Sequence, residues 1–124
     1  MEKPAKRDIT ERTFQFAVRI VNLSDVLARR SRAGEKLSSQ VIRAGTSIGA
    51  NVEEAQAAES RADFVHKYRI ALKEARETKY WLRLVVGAGL ISEKSIEALR
   101  TEADEISKIV AKIIINARKR RIAV

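Results

Sequence analysis

Four successive segments of the chain carry apolar residues spaced alternately four and three positions apart. This spacing places the apolar side chains on one face of an α-helix, which has 3.6 residues per turn. The predicted faces are Ile9, Thr13, Phe16, Ile20, Leu23 and Leu27; Leu37, Val41, Ala44, Ile48, Asn51, Ala55 and Ala58; Phe64, Tyr68, Ala71, Ala75, Thr78, Leu82 and Val85; and Ile96, Leu99, Ala103, Ile106, Val110, Ile113 and Ala117. The only proline is Pro4, so the helices can run long.

The pattern therefore predicts helices over about residues 9–30, 35–58, 61–86 and 92–118, followed by a basic tail over 118–124. Short links between long helices favour antiparallel neighbours, so we expect an all-α, up-down-up-down four-helix bundle. A chain of 124 residues suits a single domain over 1–124. The first helix is expected to start at Asp8 or Thr10, and Ser60 and Ser92 are the expected N-caps of the third and fourth helices. Gly34 is the expected stop of the first helix.

Residues 43–54 read RAGTSIGANVEE and place two glycines inside a predicted helix. Each glycine costs a helix about 1 kcal/mol relative to alanine. The interpretation we favour is that Gly45 and Gly49 let another helix approach closely. A phosphate-binding loop would need a preceding strand and a lysine after the second glycine, and the sequence has neither.

Polar residues on and beside this helix predict a hydrogen-bonded network. Asn51 falls on the apolar face, where we expect it to bond Thr78 or a tyrosine. Arg43, Ser47 and Glu54 share one flank, and Glu74 lies on the matching flank of the third helix. An ion pair of Arg43 with Glu74 or Glu54 would fix the bundle. No nucleophile or metal ligand accompanies these residues, so we expect no catalytic site and no enzyme activity.

The first helix carries a second apolar stripe, formed by Phe14, Val18 and Val21, far round from the first. A small bundle covers only one side of a helix, so this stripe predicts contact with another subunit. Ile70 and Trp81 are the expected contributors from the third helix. We interpret Trp81 and Tyr80 as interface or core residues in preference to base-stacking platforms.

The net charge of +9 favours a polyanionic partner: RNA, DNA, anionic lipid or an acidic protein. An antiparallel bundle brings the basic residues together at its two ends. The candidate nucleic-acid-binding residues are Lys3, Lys6, Arg7, Arg118, Lys119, Arg120 and Arg121 at one end, and Arg29, Arg30 and Arg32 at the other. The alternative is that Arg29, Arg30 and Arg118 to Arg121 complement helix dipoles or form a solvated tail.

Several classes of site and location are excluded or disfavoured. The chain has no cysteine, and His66, its only histidine, has no partner at metal-ligand spacing. We therefore expect no metal and no cofactor, with His66 on the surface. The longest uncharged apolar run, residues 84–91, is too short to span a bilayer. The start has no apolar run typical of a signal peptide, so a cytoplasmic protein is expected.

The stretch RAGTSIGANVEEA, followed by FVHKYRIALKEARETKYWLRL, is similar to the four-helix-bundle family of 23S rRNA intervening-sequence proteins, which are small bacterial proteins. The resemblance covers about residues 12–117. The positions that match the family pattern are Arg43, Thr46, Ser47, Ile48, Asn51 and Glu54. Gly49 stands where many relatives have proline, and Ala55 where many have glycine. The resemblance implies a homopentameric ring, and a fold likeness to the accessory variability determinant of diversity-generating retroelements.

Two functions follow as hypotheses. The first is a non-enzymatic, oligomeric protein that binds nucleic acid, with RNA favoured by the resemblance, mainly through backbone electrostatics. The alternative is an interaction adaptor that docks a partner enzyme such as a reverse transcriptase.

Overall fold

The computed structural model describes the backbone of residues 5–123 and the side chains of residues 9–119. The described chain forms four helices and no strand: α1 (Ala5–Ala28), α2 (Arg32–Gln56), α3 (Arg61–Gly87) and α4 (Glu93–Ala123). The helices pack in sequence order, and a smaller contact between α1 and α4 closes the bundle. The architecture is an all-α four-helix bundle.

Contacts between α1 and α2 show that these helices run in opposite directions. Gly34, Gly45 and Gly49, in order along α2, lie against Leu27, Ile20 and Thr13, in reverse order along α1. The same reversal relates α2 to α3, where Arg43 contacts Glu77 and Glu54 contacts Lys67. The neighbours are antiparallel, as the short links require.

The core forms where the four apolar faces meet. All six predicted positions of α1 are buried, as are Tyr68, Ala71, Ala75, Thr78, Leu82 and Val85 of α3. In α4 the buried positions are Ile96, Leu99, Ala103, Ile106, Ser107, Val110 and Ile114. Three predicted positions are only half-buried: Phe64 of α3, and Ile113 and Ala117 of α4. The periodicity therefore identifies most of the core.

The face of α2 differs from the prediction at three positions. Leu37 is only partly buried whereas its neighbour Ser38 is buried, Ala58 lies beyond the end of α2, and the third difference is at Asn51. Val52 is fully buried, whereas Asn51 is only partly buried. The buried positions step by four from Ile48 to Val52, where the prediction stepped by three to Asn51. The prediction that Asn51 bonds Thr78 or a tyrosine is wrong: its amide donates to the Ser47 carbonyl of its own helix at 2.9 Å. The bond that crosses to α3 runs from Gln56 to the Tyr68 hydroxyl at 3.0 Å.

The two glycines of the 43–54 stretch face α1, and their lack of a side chain permits the close approach predicted above. A Cβ on Gly45 would lie 2.8 Å from two carbons of the buried Ile20 side chain. A Cβ on Gly49 would lie 3.2 Å from the carbonyl oxygen of Thr13. Both glycines are buried. The stretch is therefore a helix–helix contact surface.

The link between α1 and α2 corrects the prediction for Gly34. Ser31 is the N-cap of α2, and its hydroxyl accepts a hydrogen bond from the Gly34 amide at 3.0 Å. Gly34 consequently belongs to the first turn of α2 and does not terminate α1. A Cβ there would lie 2.3 Å from the carbonyl oxygen of Leu27, so only glycine fits.

The remaining helix ends follow local sequence signals, with two exceptions. Ser60 caps α3 by accepting from the Asp63 amide at 3.0 Å, and Ser92 accepts from the Ser95 amide at 3.2 Å. Helix α3 ends in a Schellman motif, in which Gly89 has φ +76° and the amide of Leu90 bonds the Val85 carbonyl at 3.0 Å. Asp8 is not a cap, because α1 already begins at Ala5. Residues 118–123 are not a tail, because they continue α4.

Candidate nucleic-acid interface

The three predicted cations at the α1–α2 end are exposed. Arg29 is engaged with Asp25, whose carboxylate lies 2.8 Å from the guanidinium. Within the described part of the chain, Arg30 and Arg32 form no ion pair. Arg32 opens α2, where the helix dipole disfavours a cation. Complementing a helix dipole therefore does not explain the position of Arg32.

The opposite end is described in part. Arg118 and Lys119 are exposed on the last turns of α4. The predicted site residue Lys3 lies outside the described residues, as do the side chains of Lys6, Arg7, Arg120 and Arg121. The topology places the start of α1 and the end of α4 at the same end of the bundle.

The structure reveals a third group of cations that the sequence analysis missed. Four exposed cations and one exposed tyrosine follow one another along the outer side of α3 at spacings of four, three, four and three. We call this group the α3 basic face: Arg69, Lys73, Arg76, Tyr80 and Arg83. It extends over about 21 Å, given a rise of 1.5 Å per residue. The exposed His66 precedes it on the same side.

None of the four cations of this face lies in an ion pair among the described residues. The acidic residues of α3 point to its flanks or its end. Glu74 and Glu77 lie on the flank towards α2, where Arg43 binds both. Asp63 belongs to the first turn of the helix. The outer side of α3 consequently has no carboxylate of its own, and the nearest one to Lys73, that of Glu77, is bound by Arg43.

The flank towards α2 holds a compact polar network centred on Arg43. The Arg43 guanidinium lies 3.4 Å from Glu74, bonds Glu77, and donates to Gln40 at 3.1 and 3.2 Å. Trp81 donates its indole N–H to Glu77 at 2.9 Å. That hydrogen bond most strongly lowers the pKa of Glu77; partial burial opposes it, and Arg43 and Lys73 lower the pKa further. Glu77 is therefore held as a carboxylate between Arg43 and Trp81.

The other predicted network residues lie apart from this cluster. Ser47 and Thr78 each donate to the backbone of their own helix, at 2.7 Å in both cases. Glu54 pairs with Lys67 at 2.8 Å and not with Arg43. The sequence analysis identified Arg43 and Glu74 but missed Gln40 and Glu77. Glu77 lies three residues after Glu74, a spacing that places both carboxylates on one side of a helix.

Further ion pairs tie α4 to its neighbours. Arg12 of α1 binds Glu102 of α4 through two hydrogen bonds, at 2.7 and 3.0 Å. Lys79 of α3 lies 2.8 Å from Asp104. Lys79, followed by Lys108, lowers the pKa of Asp104. Since Lys79 is occupied in this way, it does not contribute to the unpaired charge of α3.

The predicted subunit-contact residues fall into two groups. Phe14, Val18 and Val21 are 55%, 41% and 46% exposed, so they are not part of the bundle core. Ile70 and Trp81 are half-buried, and Trp81 packs against the core. A shallow groove beside Phe14, lined by Ala17, Thr46, Gly49, Ala50 and Glu53, has a volume of about 190 Å³. The exposed Ile42 extends the apolar surface along α2.

The described residues contain no cluster of three or more histidine, cysteine or carboxylate side chains positioned to hold a metal ion. Within the same part of the chain, none of the helices combines the length and apolar character needed to cross a membrane.

The fold and its surface define a small, basic four-helix-bundle protein. The chain belongs to the 23S rRNA-intervening sequence protein family, whose model matches residues 5–112. It is 42% identical to a solved protein of unknown function from the S23 ribosomal protein family of Bacteroides thetaiotaomicron. That match covers 90% of this chain and 98% of the other, with a TM-score of 0.82. No curated protein matches the chain.

Proposed function

We propose that this chain is a non-enzymatic protein that binds RNA mainly through the phosphate backbone, in the bacterial cytoplasm. The observation that carries the proposal is the α3 basic face, four exposed cations along one helix that form no ion pair with any described residue. The net charge of +9 adds long-range attraction for a polyanion. The family description refers to 23S rRNA, which favours RNA as the polyanion.

Unpaired cations on a rigid helix suit this role. A cation that already holds a carboxylate must break that pair before it meets a phosphate, whereas Arg69, Lys73, Arg76 and Arg83 need not. Each phosphate contact releases condensed counterions from the nucleic acid, so binding of this kind weakens steeply as salt rises. Arginine adds a planar fork that donates two hydrogen bonds to one phosphate.

Titration of a labelled single-stranded RNA at several salt concentrations tests the proposal. Four phosphate contacts predict a slope of about −3 in a plot of log affinity against log salt. The end clusters would make the slope steeper. Absence of binding at low salt, or binding that is indifferent to salt, would refute the proposal.

A second candidate function is an interaction adaptor, favoured by the exposed apolar residues of α1 and α2. We propose that this surface joins copies of the chain, in a pentameric ring by resemblance to the family, or docks a partner enzyme such as a reverse transcriptase. Recovery of one specific partner after nuclease treatment would favour the adaptor over direct RNA binding.

Replacing Phe14 and Val18 together by aspartate should dissociate such an assembly to the 13.9 kDa chain. Helicity should be retained, because neither side chain belongs to the buried core of the single chain. Light scattering and circular dichroism check the two expectations. The matched control, Thr101→Asp with Asn116→Asp, adds the same charge at exposed positions of α4 and should leave the mass unchanged. A wild-type protein that is monomeric at micromolar concentration would contradict the assembly.

A further inference from the structure

Tyr80 is the one residue of the α3 basic face that carries no charge. Its side chain is 55% exposed, and its hydroxyl makes no hydrogen bond within the described residues. Arg76 precedes it by four positions and Arg83 follows it by three, so each lies one helical turn away on the same side. An aromatic ring therefore stands between two unpaired guanidinium groups.

The ring of Tyr80 is also held in place. It contacts the Trp81 ring edge-on, with centroids 5.2 Å apart and planes inclined at 68°. Trp81 in turn packs against the core and is anchored to Glu77 by its indole N–H. Glu77 is bound by Arg43 of α2. This chain of contacts connects Tyr80, which remains 55% exposed, to the packed core of the bundle.

A fixed, exposed aromatic ring flanked by cations is the arrangement used to bind single-stranded nucleic acid. The cations hold consecutive phosphates while an unpaired base stacks on the ring. In a duplex, the bases are already stacked on one another and are not available to the ring. The arrangement thus distinguishes single strands from duplexes, whereas cations alone would bind either.

We propose that the α3 basic face binds single-stranded RNA, with Tyr80 as its base-stacking platform. The inference rests on the proposed RNA-binding function and adds to it a preferred form of RNA and a residue that selects it. It refines the expectation that binding is mainly through the nucleic-acid backbone, because one base would contribute alongside the phosphates.

Two substitutions at Tyr80 separate stacking from other roles. Tyr80→Leu keeps an apolar side chain but removes the ring, and Tyr80→Phe keeps the ring and removes only the hydroxyl. Each protein is titrated with a labelled single strand of about twelve nucleotides, within the range of known site sizes. The same sequence is also offered as a blunt duplex. Light scattering and circular dichroism verify that mass and helicity are unchanged.

We expect the wild type to bind the single strand more tightly than the duplex. Tyr80→Leu should weaken single-strand binding roughly five- to a hundred-fold, the range that stacking on one aromatic ring contributes. Tyr80→Phe should stay within about two-fold of the wild type, since stacking uses the ring face. Duplex binding should be the same for all three proteins.

Three results would overturn the inference while leaving the proposed function intact. The first is RNA binding by Tyr80→Leu at wild-type affinity. The second is an equal loss for single strand and duplex. The third is a change in mass, which would make Tyr80 a subunit contact. A wild-type protein that binds no RNA of either form would instead refute the proposed function itself.

Discussion

Replacing Gly34 by alanine should lower the free energy of unfolding by about 3 kcal/mol, the upper part of the range for overpacked positions. The added Cβ would lie 2.3 Å from the carbonyl oxygen of Leu27, a backbone atom that no rotamer change can move away. Leu27 is fully buried, so moving its backbone disturbs the core as well. Only three residues separate α1 from α2, which leaves little slack to absorb the shift.

Gly87→Ala provides the control. Gly87 ends α3, and no atom lies within 4 Å of the position its Cβ would take. We expect its stability to stay within about 1 kcal/mol of the wild type, since alanine loses less backbone entropy on folding. Urea unfolding followed by circular dichroism measures both variants. Equal stabilities for Gly34→Ala and Gly87→Ala would mean that the α1–α2 link yields more easily than the structure indicates.

The apolar faces could be predicted from sequence because burial in a bundle repeats with the helical period. In α1 the six predicted positions are all buried, including the polar Thr13, whose hydroxyl bonds the Ile9 carbonyl at 2.9 Å. The interpretation of Gly45 and Gly49 as a close helix–helix contact was correct, and it also rested on helix energetics. A cost of about 1 kcal/mol for each glycine in a helix calls for a compensating contact.

The errors came from places where two local signals compete. Ser31 and Gly34 are both boundary residues, and Gly34 was predicted as the stop of α1 without Ser31 being considered as the start of α2. The hydrogen bond from the Gly34 amide to the Ser31 hydroxyl shows that Ser31 caps the start of α2. Asn51 and Val52 are neighbours on the boundary of the apolar face. The packing of α2 against its neighbours buries Val52, while the Asn51 side-chain amide donates a hydrogen bond to the Ser47 carbonyl of the same helix.

The α3 basic face was beyond the sequence analysis for a different reason. Its cations also recur at spacings of four and three, but a charged stripe is usually only a solvated face. What distinguishes this stripe is the absence of partners, which depends on where Glu74 and Glu77 point. That direction follows from the packing of α3 against α2. The sequence instead drew attention to the ends of the bundle, where the basic residues are consecutive.

Removing three cations from the α3 basic face should weaken RNA binding at low salt by about 100-fold, if each contributes a phosphate contact of ordinary strength. The variant carries Arg69→Gln, Arg76→Gln and Arg83→Gln, and glutamine is nearly as good a helix former as arginine. The slope of log affinity against log salt should become shallower by about 2. Stability should not fall, because the three residues form no ion pair among the described residues, and Arg69 and Arg76 each lie one turn from the like charge of Lys73.

The matched control removes the same charge from the end of the bundle through Arg29→Gln, Arg30→Gln and Arg32→Gln. Both variants have a net charge three units below +9, so long-range attraction is reduced by a similar amount. If the control binds RNA much more tightly than the α3 variant, the contacts lie on α3. If the α3 variant and the control bind RNA equally weakly, net charge governs binding and the α3 basic face is not a specific contact site. A greater loss in the control would place the interface at the α1–α2 end, where Arg30 and Arg32 also form no ion pair with any described residue.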